Sequence, residues 1–86
     1  MPLDEVARLA TMALKAQLLS ACPGQIAEIR VYGSRARGDA REDSDLDILV
    51  LTHGDDTQVR REASEAVQEV YRALDYPFPI STQVMP

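Results

Sequence analysis

Leu3, Val6, Ala7, Ala10, Ala13, Leu14, Leu18 and Ala21 recur at the spacing that lines one face of an α-helix. Pro2 suits the first turn of that helix, Asp4 and Glu5 suit its positive end, and Pro23-Gly24 stops it. From Ile26 the period shortens to two, and a strand runs to Tyr32 with Ile29 and Val31 on one face and Glu28 and Arg30 on the other. A polar connection from Gly33 to Ser44 leads to a second strand, Asp45 to Thr52, through the apolar run Ile48-Leu49-Val50-Leu51. Gly54-Asp55-Asp56-Thr57 then supplies a turn and helix-capping candidates. Val59, Ala63, Ala66, Val67, Val70, Tyr71 and Leu74 mark a second long amphipathic helix, which Asp75-Tyr76-Pro77 ends. Phe78 to Met85 reads as a third strand, and Pro77 and Pro79 push its start towards a sheet edge. The order α–β–β–α–β predicts an α+β fold, an α/β sandwich in which a small mixed sheet of about three strands carries helices on one face.

With no linker, repeat or low-complexity tract, the 86 residues read as a single domain over 1–86. A chain of this size buries roughly 60–65% of its unfolded surface. The net charge of −5 argues against a direct grip on nucleic acid, which needs clustered Lys and Arg. No apolar run approaches the roughly 18 residues of a membrane span. Asp4, Glu5 and Arg8 interrupt the place where a signal peptide keeps its apolar segment. The single Cys22 excludes an intrachain disulfide and fits a reducing compartment, so the expected location is the cytoplasm. A small domain with an exposed edge strand is also a candidate homo-oligomer.

Much of the acid is local. Asp39, Glu42, Asp43, Asp45 and Asp47 are opposed only by Arg41 within their stretch. Such a run is ordinarily a solvated loop, but this one enters the second strand. Strand geometry points Asp45 and Asp47 the same way and Leu46 and Ile48 the other. Crowded carboxylates repel unless a cation lies between them, and Mg²⁺ takes one or two carboxylates together with substrate phosphates. The phosphates have a matching cradle upstream. Gly33 permits positive φ and close approach, Ser34 adds a hydroxyl, and a helical start through Arg35-Ala36-Arg37 aims free N–H groups at an anion. Gly33 and Gly38 match the outer glycines of a P-loop, but Asp39-Ala40 follows where Lys-Ser/Thr is required, so this is not a Walker site.

Gly33-Ser34-Arg35-Ala36-Arg37-Gly38 followed by Asp43-Ser44-Asp45-Leu46-Asp47 resembles the signature of the polymerase-β-type nucleotidyltransferases. It is similar above all to the small prokaryotic minimal nucleotidyltransferase domains. The resemblance is strong over residues 26–52 and loose over the whole element order. It implies that Gly33 and Ser34, with Arg35 and Arg37, contact the phosphates of a nucleoside triphosphate, ATP by preference. It also implies that Asp45 and Asp47 are catalytic residues that bind Mg²⁺ for transfer of a nucleoside monophosphate, AMP first, to a hydroxyl of a protein or small molecule. Many such domains are paired with a helical HEPN-domain protein, as antitoxin to its toxin, so a HEPN-type partner is expected. The family's active members carry a third carboxylate on a later strand, where this chain reads Ile80-Ser81-Thr82-Gln83-Val84-Met85, without an acid. Ser81 or Thr82 offers only a weak oxygen ligand there. The alternative is therefore a catalytically degenerate module that binds nucleotide or docks a partner.

Other residues invite plainer readings. Arg35 and Arg37 serve the acidic cluster as readily as a triphosphate. His53 lacks a His or Cys neighbour and reads as a surface loop residue, while Cys22 reads as packing at a helix end. Tyr32, directly before the Gly-Ser turn, reads as a strand tyrosine half in the core, and Arg60-Arg61 as a solvated pair.

Overall fold

A computed structural model of the chain describes residues 5–33, 45–75 and 79–86. Within them the elements are α1 (Glu5–Ala21), β1 (Ile26–Tyr32), β2 (Leu46–Thr52), α2 (Thr57–Leu74) and β3 (Ile80–Met85). The predicted order α–β–β–α–β holds. The strands form one mixed sheet in the order β1-β2-β3, antiparallel between β1 and β2 and parallel between β2 and β3. The parallel pair is joined through α2, as a parallel connection requires.

The register sorts every strand residue by face. Ile26, Ile29 and Val31 pair with Thr52, Val50 and Ile48, and these in turn run beside Val84 and Thr82. Leu46, Ile48 and Val50 are fully buried on this side, beneath the helices. Ile26 and Ile29 lie three apart yet face the same way, because the register shifts between Ile26 and Glu28. One extra residue there restores the alternation, which is what a β-bulge does. The opposite face carries Glu28, Arg30 and Tyr32 on β1, Asp47, Leu49 and Leu51 on β2, and Ser81, Gln83 and Met85 on β3. No helix covers it among the described residues.

Two helices close the core from one side. Ala7, Ala10, Leu14 and Leu18 of α1 meet Val59, Ala63, Ala66, Val67 and Val70 of α2 over the sheet. The apolar pattern of α2 predicted its buried face position by position. That of α1 did not, since Val6 and Ala13 are exposed, along with Leu9, Met12 and Leu19. α1 is apolar on two sides, and only the side with the small Ala7 and Ala10 lets it approach the sheet closely. Side chains then fasten α2 to the edge strand. Arg60 Nη2 donates to Val84 O at 2.8 Å, and the Ile80 N–H donates to the Tyr71 hydroxyl at 2.7 Å. The one buried polar side chain among the described residues, Thr52, is satisfied by donating to Gly54 O at 3.1 Å.

The strand boundaries differ slightly from those read in the sequence. β2 begins at Leu46, leaving Asp45 one residue before it, and β3 begins at Ile80 rather than Phe78. Pro79 has no N–H for a ladder, so its carbonyl receives the Leu46 N–H at 2.9 Å and pairing proceeds only from the next residue. Asp75 ends α2 in the left-handed region at φ 48°. Among the described residues no helix is long and apolar enough to cross a membrane.

Candidate functional site

The site lies where β1 ends and β2 begins. Tyr32 is the last residue of β1 and the antiparallel partner of Asp47; Gly33 follows it out of the sheet. Gly33 takes φ +80°, a conformation that suits glycine alone. A Cβ at this position would collide with Asp47 Oδ2 and stand 3.3 Å from its Cγ. Two separate demands, backbone sign and side-chain room, thus fall on the same residue. The Asp47 carboxylate rests on the bare Cα of the turn that the sequence marked for phosphate.

Asp47 is half-buried on the open face of the sheet, and Leu46 and Ile48 on either side of it point into the core. The strand alternation predicted for these three is observed. Asp45 is exposed, immediately before β2. Among the described residues neither carboxylate has an ion pair or a hydrogen-bond donor against it. Nor, among the described residues, do three His, Cys, Asp or Glu residues converge on a metal position. Ser34, Arg35 and Arg37, and the acids at positions 39, 42 and 43, lie outside the described residues.

On the other side of Asp47, across the parallel ladder, stands Ser81. Its neighbour Thr82 pairs with Ile48 and turns towards the helices, so of the two hydroxyls considered from the sequence only Ser81 shares the face of Asp47. The alternation Ile80, Thr82, Val84 against Ser81, Gln83, Met85 carries that signal in the sequence. Tyr32 departs from its expected half-core position and is 38% exposed on the open face, since inward places on β1 are taken by Ile29 and Val31. Tyr71 was missed as a support: it receives the N–H of the residue next to Ser81. Nothing in a helical tyrosine pattern distinguishes that role from simple packing.

The remaining polar features lie elsewhere. His53 is exposed and its backbone N–H donates to Gln25 O at 3.0 Å. Cys22 is buried, and burial first, with Glu62 second, pushes its thiol above the ordinary value, as befits an unreactive packing residue. A polar groove lined by Gln17, Glu65, Gln68, Glu69 and Arg72 lies on the helices, where Arg72 pairs with Glu69 at 3.0 Å. It is separated from Asp47 by the sheet.

The model of the nucleotidyltransferase domain family matches residues 13–81, from the middle of α1 through Ser81. Among curated proteins and among solved structures, nothing matches the chain significantly.

Proposed function

The chain belongs to the nucleotidyltransferase domain family, and on that premise we propose that it binds Mg²⁺ with a nucleoside triphosphate, ATP by preference, and passes the nucleoside monophosphate to a hydroxyl. The observation that carries this reading is the contact between Asp47 and Gly33. It sets a carboxylate directly against the turn that would hold the phosphate tail. Gly33 and Ser34 are the proposed phosphate contacts, Arg35 and Arg37 the neutralising cations, and Asp45 and Asp47 the metal-binding pair. Bound there, Mg²⁺ would neutralise charge developing on the phosphates. The residues' own task is to hold the triphosphate at the Gly33 end of the sheet and leave the open face beside Asp47 for the acceptor.

The acceptor is proposed to be a partner protein of the HEPN type, with this chain as its antitoxin. Support for that lies in the resemblance of the motif through residues 33–47 to small prokaryotic domains with such partners. The test is incubation with α-labelled ATP, Mg²⁺ and the protein encoded beside it, with Asp45→Asn/Asp47→Asn as control. Label on the neighbour that disappears in the control is the expected result. Failure of ATP, GTP, CTP and UTP alike to bind in the presence of Mg²⁺ defeats the nucleotide reading. A second reading, a module that binds nucleotide without transferring it, is favoured by the uncharged Ser81 beside Asp47; calorimetric ATP binding with no label transfer is its signature.

A further inference from the structure

We infer that the outer edge of β1 is a self-association surface, on which a second copy of this chain lays its own β1 antiparallel, about a two-fold axis through Ile29. The inference is independent of the nucleotide reading. The order β1-β2-β3 leaves two outer edges, and the chain treats them differently. β3 is blunted. Pro79 precedes it and Pro86 follows it, the Tyr71 hydroxyl takes the Ile80 N–H, and Arg60 takes the Val84 carbonyl. β1 has neither a proline nor a lysine in its seven residues, and among the described residues no side chain bonds to its outer edge. An unguarded edge strand of that length is a template for pairing with another chain. Its one irregularity, the register shift between Ile26 and Glu28, lies at its start and leaves Glu28 to Tyr32 regular.

Charge selects the partner and the register. Glu28 and Arg30 are exposed on the open face, two residues apart, and within one chain Arg30 Nη2 lies 2.9 Å from Glu28 Oε1. Directly opposed residues of an antiparallel pair point to the same face. Two identical strands that keep both copies' helices on one side therefore have their axis at a residue, which meets itself. With the axis at Ile29, Glu28 meets Arg30 of the second copy and Arg30 meets its Glu28, so one symmetric contact makes two ion pairs. An axis at Glu28 or Arg30 opposes like charges, which destabilises the pair; one at Val31 leaves Glu28 beyond the strand's end. Ile29 is half-buried against the core on the covered face, and its own copy would cover the rest. α1 lies on the β1 side of the helix layer and α2 on the β3 side. Gln17 lines the groove between α1 and α2, and helical spacing puts the exposed Met12 and Leu19 on the opposite flank, bordering the seam. The antiparallel arrangement sets the two Gly33 turns at opposite ends of that seam.

Exchanging the charges tests this by sedimentation equilibrium of the full chain, with circular dichroism to show that each variant is folded. The wild-type chain is expected to dimerise. Glu28→Arg and Arg30→Glu each oppose like charges in both pairs and should weaken dimerisation about tenfold or more. Mixed in equal amounts, the two variants should recover it as a heterodimer, because every opposed pair then joins a basic and an acidic residue. The double variant Glu28→Arg/Arg30→Glu should dimerise like the wild type. Both positions are exposed, so the fold should tolerate the changes. If a single variant does not fold, Glu28→Gln/Arg30→Gln replaces it and should dimerise more weakly than the double exchange. A wild-type chain that stays monomeric up to about 1 mM overturns the inference. So does a dimer that neither single exchange weakens, which places the contact elsewhere. Weakened single variants that mixing does not restore overturn the register and with it the proposal.

Discussion

Replacing Gly33 with Ala imposes two separate penalties: a left-handed φ on a residue with a Cβ, and an overlap between that Cβ and the Asp47 carboxylate. The first alone is about 1–2 kcal/mol, and the second moves a residue proposed to bind the cation. Gly33→Ala should therefore lower the free energy of unfolding by that amount in denaturant titration and weaken Mg²⁺-dependent nucleotide binding more than the lost stability explains. Gly24→Ala is the control, since Gly24 also has positive φ, at 75°, but has open space around it; it should lose stability and keep nucleotide affinity. A second residue-level expectation concerns pH. The Asp55 carboxylate accepts the Thr57 N–H at 3.0 Å and the Thr57 hydroxyl at 2.7 Å. Those bonds, the backbone one foremost, hold it below its ordinary 3.8. A lowered carboxylate stabilises the fold above its unfolded value and ceases to do so as pH falls through its folded value. Asp55→Ala should thus be less stable than wild type at neutral pH, and urea midpoints of the two should converge well below pH 3.8.

At the level of elements, the link between α2 and β3 lies next to the candidate site. The Tyr71 hydroxyl on α2 receives the N–H of Ile80, the residue that opens β3 and precedes Ser81. Tyr71→Phe removes the acceptor and leaves a partly buried N–H without its partner. The expected loss is about 1 kcal/mol in chemical denaturation, with amide exchange faster at Ile80 than at Val50, the centre of the sheet. Equal exchange changes at both would mean that Tyr71 only packs. The elements themselves were legible because each has a clean period. α2 keeps one apolar face with charged residues opposite, and β1 separates Ile29 and Val31 from Glu28 and Arg30. α1 was read less well, since apolar residues lie around most of it and periodicity alone does not say which side meets a sheet. The bulge at the start of β1 and the register of β3 on β2 depend on long-range pairing, which leaves no local mark. Of the candidate site, the residue types and spacing of Gly33 and Asp47 drew attention to the two positions that the sheet brings together. The choice of Ser81 over Thr82, and the exposure of Tyr32, required knowing which face the helices cover.

On the scale of the whole molecule, the described helices cover the sheet on a single side, and the proposed chemistry lies at the end of the other. The domain has 86 residues, and a chain of that size keeps only a modest stability margin. The Gly33 turn and Asp47 on β2 are brought together only when β1 and β2 pair. An unfolded chain therefore has no assembled site, and any ligand specific for Asp45, Asp47 and the turn must stabilise the fold by its binding free energy. At a free Mg²⁺–ATP concentration a hundred times its dissociation constant, the gain is about 2.7 kcal/mol. For a domain of this size that is a rise in melting temperature on the order of 10–20 °C. Asp47→Asn should abolish the rise, because it removes the carboxylate that rests on Gly33. Excess chelator added to wild type with ATP should return the melting temperature to that of the free chain, which thermal unfolding followed by circular dichroism can read. A rise that persists with chelator would place ATP on the protein without a cation and would remove Asp45 and Asp47 from the binding site.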